Sequence, residues 1–334
     1  MTAATGTVSG LRTRRVETVM SWVRRNSWTI GLLGFLVLLL VFTKLIQPRY
    51  GVTGMQGLAI SVLPLALAAV AQAIVVISGG IDLSIGSMMA FTSVVAAALM
   101  KGQSEEFGVA VVLGVLLLGP VLGAINGGLV VVTRVPDIVV TLAMSFVWAG
   151  CALLVLKTPG GGSAEWLKDL ITGSLGSEWI PRAAIALIVI VGVLWIPLRR
   201  SRLGLSIYAI GSNQLAAFRS GVSVGRTKVL AYVLTGLFSA IAGLSLTAST
   251  GRGTPVPGPY TLPSVAAVVL GGVSLAGGRG GVFGPIVAVV ILQLIRTDMT
   301  FLNVNTNLAT VAQGFILISV LMGGSLIQMR RSRA

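Results

Sequence analysis

Ser78-Gly79-Gly80-Ile81-Asp82-Leu83-Ser84-Ile85-Gly86-Ser87 lies between two long apolar runs, Leu58 to Ile77 before it and Met88 to Leu99 after it. A carboxylate at the centre of a membrane helix is disfavoured by roughly 2.5–3.5 kcal/mol on insertion scales. A chain that only had to cross lipid would not place an Asp and two hydroxyls among glycines at such a point. The stretch reads as a deliberate break between two membrane segments, and most of the chain reads as the scaffold that places it.

Composition agrees. The 334 residues are 55% hydrophobic and only 10% charged, whereas soluble domains carry about 25% charge. Apolar runs of spanning length recur along the chain, so the expected class is an all-α polytopic membrane protein with one membrane domain. The net charge of +15 suits loops on the cytoplasmic side better than nucleic acid, because the basic residues sit between apolar segments and form no patch with aromatics. There is no His, which excludes a histidine proton relay or histidine metal site. The single Cys, Cys151, excludes an internal disulfide and a multi-Cys cluster.

Residues 1–27 form a basic arm with Arg12, Arg14, Arg15, Arg24 and Arg25. A signal peptide would have a shorter apolar region and a small-residue cleavage site, but Gln47-Pro48-Arg49 follows here. The reading is an uncleaved first helix with a cytoplasmic N-terminus. Ten apolar segments are expected, at 28–46, 58–77, 84–100, 109–132, 138–156, 183–198, 227–249, 261–275, 282–296 and 308–328. They compose a membrane domain at 28–328, followed by a basic tail at 329–334. Ten crossings put both termini in the cytoplasm. Sixteen of the 24 Lys and Arg then fall inside: five in the arm, Arg134, six in the 199–228 loop, Arg279 and three in the tail. The eighth segment is short, begins near Pro263 and ends in glycines, as a half-helix or re-entrant piece would.

A weaker copy of the opening stretch follows. Gly79-Gly80-Ile81-Asp82-Leu83-Ser84 aligns with Gly271-Gly272-Val273-Ser274-Leu275-Ala276, leaving Ser78 as an extra residue in the first copy. Six segments separate the two, so a parallel internal repeat is expected, with interrupted helices at corresponding places. Asp82 has two readings, a helix N-cap and a pathway or gating residue. The Gly pairs suit positive φ or close helix approach.

The longest inner loop, 199–228, contains one short amphipathic helix within 209–222. Ser212 or Asn213 can cap its start and Gly221 fits the left-handed position that ends it. Leu215 and Phe218 share one face. The helix could fit a groove on a partner protein or lie on anionic headgroups.

Four stretches in order resemble the ribose/xylose-type ABC sugar permeases. They are Ser78-Gly79-Gly80-Ile81-Asp82-Leu83-Ser84-Ile85-Gly86; Asn126-Gly127 with Arg134-Val135-Pro136 and Thr141-Leu142; Gly211-x-Asn213-x-x-Ala216-Ala217-x-x-Ser220-Gly221-Val222; and Gly271-Gly272-Val273-Ser274-Leu275-Ala276-Gly277-Gly278-Arg279-Gly280. The resemblance implies the permease of an inner-membrane importer for a pentose- or hexose-like sugar. It implies a second permease subunit, a cytoplasmic ATPase that holds ATP and Mg, and a periplasmic or lipid-anchored sugar-binding protein. No cofactor is expected on this chain, and no nucleic acid.

The 211–222 stretch would then be a coupling helix, with Gly211, Asn213, Leu215, Ala216, Ala217, Ser220 and Gly221 meeting the ATPase. It is similar to the importer pattern Glu-Ala-Ala-x-x-x-Gly, with Leu215 in place of Glu, which removes one ion pair. Many relatives are acidic where this chain has Tyr260-Thr261-Leu262-Pro263-Ser264-Val265, as fits one member of an unlike pair of permeases. A neutral polar path suits sugars. Gly79, Gly80, Asp82, Ser84, Ser87, Asn126, Gly271, Gly272 and Ser274 are the pathway and gating candidates, with Thr92, Thr141 and Ser145 beside them.

The chain has no Gly-x-x-x-x-Gly-Lys-Ser/Thr phosphate loop, so ATP hydrolysis is expected elsewhere. The rivals are a permease of the same class for nucleosides or amino acids, a proton-coupled transporter using Asp82, and a membrane-embedded sugar transferase. The last would need more intramembrane charge than Asp82 supplies.

Overall fold

The computed structural model describes residues 27–256 and 258–305, with isolated positions at 308, 311, 314 and 315. The basic arm up to residue 26, the tail and most of the tenth apolar segment lie outside them. Helices α1 (Ser27–Ile46), α2 (Val52–Ile77), α3 (Ile85–Met100), α4 (Glu105–Thr133) and α5 (Asp137–Val155) are followed by a short α6 (Glu165–Asp169) and a small antiparallel hairpin, β1 (Ser174–Leu175) and β2 (Ser177–Pro181). Then come α7 (Arg182–Arg200), α8 (Arg202–Ser212), α9 (Gln214–Arg219), α10 (Val224–Thr250), α11 (Thr261–Leu270) and α12 (Phe283–Phe301).

Each of the first nine expected apolar segments falls on a helix. Seven of the described helices, α1, α2, α4, α5, α7, α10 and α12, are long and apolar enough to cross a bilayer, while α3 and α11 have 16 and 10 residues. At 1.5 Å per residue α11 reaches only about 15 Å, half of a hydrocarbon core about 30 Å thick. The eighth segment is thus a half-length helix, and a full ten-crossing count is not reached among the described residues. Several helices run past their expected ends. Ser104 Oγ accepts from Phe107 N–H to start α4 at Glu105, and α2 begins at Val52. Pro64, Pro120 and Pro197 sit inside α2, α4 and α7, as tolerated in membrane helices whose neighbours re-satisfy the freed backbone.

The bundle is built around α2, 89% of whose apolar window is buried. Its wall includes α1, α4, α5 and α7, which carry exposed side chains such as Leu45, Leu117, Leu154 and Ile188. Without a hydrophobic drive between helices in lipid, close packing decides association, and small residues permit it. On α4, Gly119, Gly123 and Gly127 recur every four residues and seat the backbone of α10. A Cβ on Gly123 would meet Tyr232 O, one on Gly127 the Val229 Cα at 2.9 Å, and one on Gly236 would strike Gly119 O. Two turns further along α10, a Cβ on Gly243 would stand 2.7 Å from Met89 O of α3, and the Ser93 and Thr247 hydroxyls pair at 2.9 Å.

The loops gather at two ends. At one end, Gly160 and Gly253 exchange backbone bonds, Gly162 N–H donates to Ala97 O, and the Glu105 carboxylate accepts from Glu165 N–H. At the other meet the 78–84 break, α8, the start of α5 and the 271–282 stretch. Trp28 of α1 donates its indole N–H to Leu270 O at 2.8 Å, closing one of the free carbonyls at the end of α11.

Candidate functional site

The two glycine breaks fold alike. After α2, Gly79 N–H donates to Val76 O and Gly80 N–H to Val75 O, with Gly79 at φ +86°. After α11, Gly272 N–H donates to Val269 O and Val273 N–H to Val268 O, with Gly272 at φ +80°. Both are the six-to-one and five-to-two pair of a Schellman ending. The equivalence is therefore Ser78 with Gly271, Gly79 with Gly272 and Gly80 with Val273. The sequence alignment of Gly79 with Gly271 is off by one: the left-handed slot is what must match, and Ser78 is no extra residue.

Asp82 follows the first break and is fully buried. Its Oδ1 accepts from Ser84 N–H at 2.8 Å and from the Ser84 hydroxyl at 2.6 Å, closing the turn that leads into α3. The Ser84 hydroxyl in turn accepts from Asn126 Nδ2 of α4 at 2.7 Å, and Asn126 Oδ1 accepts from the Trp148 indole of α5 at 3.1 Å. Three elements are thus tied by one directed chain of donors ending on a carboxylate, with the Trp148 ring stacked on Phe91. Asp82 Oδ2 has no partner among the described residues. Such buried networks tie elements tightly when satisfied and are costly when broken.

Thr141 pins the same break from α5: its hydroxyl accepts from Leu83 N–H at 3.1 Å and lies 2.8 Å from Asp137 O. Ser87 and Thr92 are buried and donate to carbonyls of their own turn, Ser84 O and Met88 O. Ser145 donates to Leu142 O, away from this chain of bonds. Ser274 belongs to the second break, where its N–H donates to Arg279 O and its carbonyl accepts from Gly277 N–H. Gly271 packs on the start of α12, where a Cβ would lie 2.5 Å from Gly284 C.

The polar stretch after α7 is two helices, not one. Ser201 accepts from Gly204 N–H and opens α8, which ends where Asn213 turns extended. Asn213 Oδ1 then accepts from Ala216 N–H at 2.9 Å and caps α9. Gly221, at φ +85°, closes α9 with the same Schellman pair, Gly221 N–H to Phe218 O and Val222 N–H to Ala217 O. Ala217 faces inward while Leu215 and Phe218 stand 59% and 66% exposed. Ala216 and Ser220 complete the turn through the bond from Ser220 N–H to Ala216 O. Gly211, near the end of α8, sits against the breaks. A Cβ there would strike Ile77 O and lie 2.6 Å from Gly278 N.

Two features were not foreseen from sequence. Asp137, at the start of α5, takes Lys228 Nζ at 2.7 Å on Oδ1 and the Tyr232 hydroxyl at 3.0 Å on Oδ2, beside Gly80. Tyr208 of α8 donates its hydroxyl to Gly280 O at 2.7 Å. Burial, partly offset by Arg199, holds the Tyr208 phenol above its ordinary pKa, so the proton it donates is kept. Toward the opposite end, a cavity between α3, α10 and the loop before α11 is lined by Gly86, Ser93, Thr250, Arg252, Thr254 and Tyr260, among others. Among the described residues no group of His, Cys, Asp and Glu could hold a metal.

A family model described as branched-chain amino acid transport system / permease component matches residues 54–321. The autoinducer 2 import system permease protein LsrD of Escherichia coli (strain K12) is 29% identical over 308 residues, 90% of this chain and 93% of that one. The ribose import permease protein RbsC of the same strain is 30% identical over 321 residues, 94% of this chain and 96% of that one. No solved structure matches.

Proposed function

The chain belongs to the ABC sugar importer permeases, within the family described as branched-chain amino acid transport system / permease component, and on that premise we propose that it carries a monosaccharide across the membrane under the drive of a separate cytoplasmic ATPase. Permeases of this family are non-catalytic subunits of multi-pass inner-membrane importers. The observation that carries the finer reading is α9. This six-residue helix is capped at both ends and offers Leu215 and Phe218 outward, at the same end as the two glycine breaks. A rigid, pre-formed helix with two apolar anchors suits insertion into a groove on a partner protein, and the Arg-rich loop around it suits the cytoplasmic face.

In this reading ATP closes a pair of ATPases, the grooves carry α9, and the bundle alternates between openings to either side. A second permease, identical or unlike, completes the path, and a binding protein delivers the solute from outside. The two breaks descend from a parallel repeat, which their equal turn geometry supports. Both termini lie in the cytoplasm. The solute is a pentose- or hexose-like sugar: the name of the ribose import relative supports a sugar, and Ser93, Thr250, Thr254 and Tyr260 bring hydroxyls to the lining of the cavity near Gly86.

The test is uptake in vesicles holding the permease, its ATPase and its binding protein. Labelled pentoses and hexoses are offered against nucleosides and branched-chain amino acids. ATP-dependent accumulation of a sugar, insensitive to an uncoupler, is expected. Accumulation without ATP that collapses with an uncoupler would replace this reading with proton coupling through Asp82.

A further inference from the structure

Three backbones meet at one point through glycines, with the Ser212 hydroxyl beside them. Gly278 N–H donates to Ile77 O at 2.9 Å, joining the second break to the end of α2. A Cβ on Gly277 would lie 2.7 Å from Gly211 O, 3.0 Å from Gly79 Cα and 3.1 Å from Gly211 Cα. One on Gly278 would lie 2.6 Å from Ser212 N. Gly211 therefore occupies a seat formed by Gly79 on one side and Gly277–Gly278 on the other. Only Ser212 and the cap Asn213 separate it from α9. Next to the seat, the Tyr208 hydroxyl fastens α8 to the same loop at Gly280. On its far side the chain passes from Gly79 through Gly80 to Asp82 and the donor chain through Ser84, Asn126 and Trp148.

We infer that Gly211 is a positioning residue that couples α9 to the Asp82 break: a displacement of α9 is passed through the Gly211 seat to the first glycine break and, along the 273–278 stretch, to the second. A contact of backbone on backbone has no flexible side chain to absorb a shift, and packed interfaces move between discrete arrangements more readily than they deform. Gly79 and Gly272 each hold the left-handed turn of a helix end, so the seat joins one such turn directly and reaches the other through the 273–278 stretch. The inference rests on the reading of α9 as the ATPase contact and deepens it by naming where the movement goes.

The experiment uses the permease assembled with its ATPase and binding protein in vesicles. It reads ATPase retained on purification, ATP hydrolysed and solute accumulated. Gly211→Ala places a methyl against Ile77 O; the ATPase is expected to stay bound while solute moved per ATP falls about tenfold. Tyr208→Phe removes one hydroxyl bond beside the seat and should lower the same ratio about threefold. A merely structural role would lower the amount of complex and leave that ratio unchanged. An assembled Gly211→Ala complex with a wild-type ratio overturns the inference. Should that variant not assemble, an unchanged ratio in Tyr208→Phe overturns it alone. Retention of the ATPase by Leu215→Glu with Phe218→Glu is a separate result, which removes the docking reading itself.

Discussion

The Lys228 ammonium lies 2.7 Å from Asp137 Oδ1, with both side chains largely shielded at 15% and 13% exposure, while the Tyr232 hydroxyl donates to the other carboxylate oxygen. This triad joins the start of α5 to the first turns of α10, and Asp137 also walls the Gly80 side of the first break. Breaking a shielded pair leaves one charge unmatched, and hydrogen bonds to charged groups are worth about 1.5–3 kcal/mol. Lys228→Met is expected to destabilise the protein by about that amount. Thermal unfolding in detergent measures it, and a cycle with Asp137→Asn should show clear non-additivity.

Asn126 is the middle link between Trp148 and Ser84. Asn126→Ala would leave a buried indole N–H unpaired and take a donor from the Ser84 hydroxyl, at about 1–3 kcal/mol for an unsatisfied buried group. The expected outcome is a lower unfolding midpoint together with reduced uptake by the protein that does assemble. Stability and uptake equal to wild type would show that the chain of bonds ending on Asp82 does not hold this break.

The α4–α10 crossing leaves no room at Gly123, where a Cβ would strike Tyr232 O. Gly123→Leu should force the helices apart, at about 1–3 kcal/mol or more for overpacking. Gly128, five residues further along α4 with nothing within 4 Å of its Cβ position, is the control. Gly128→Leu should fall within about 0.5 kcal/mol of wild type in the same melt.

Leu215 and Phe218 stand mostly exposed on α9. Replacing both by Glu should shift stability by no more than about 0.5 kcal/mol, yet abolish co-purification of the ATPase. A complex that still assembles would show that α9 is not the docking helix.

Much of this was legible in the sequence because lipid imposes long apolar runs and glycine marks the places where a helix must stop. The first nine segments, the half-length α11, the Asn213 cap and the left-handed Gly221 follow from those rules. Which glycine of a pair takes positive φ does not, since both can, and so the two breaks were aligned one residue out of step. Asp137 and Lys228 stand 91 residues apart, and no local pattern links them. Ser201 is an ordinary cap whose signal was lost in a run of basic residues, so α8 went unread. The four-residue spacing of Gly119, Gly123 and Gly127 was present to be seen, but only the facing backbone of α10 gives it meaning.

The enclosure of α2 sets what the bilayer can act upon. A change in acyl-chain length or lateral pressure presses first on α1, α4, α5 and α7, whose flanks lie open, and reaches the central post mainly through them. Thinner or thicker membranes should therefore alter how far the outer helices tilt while the spindle they surround keeps its shape.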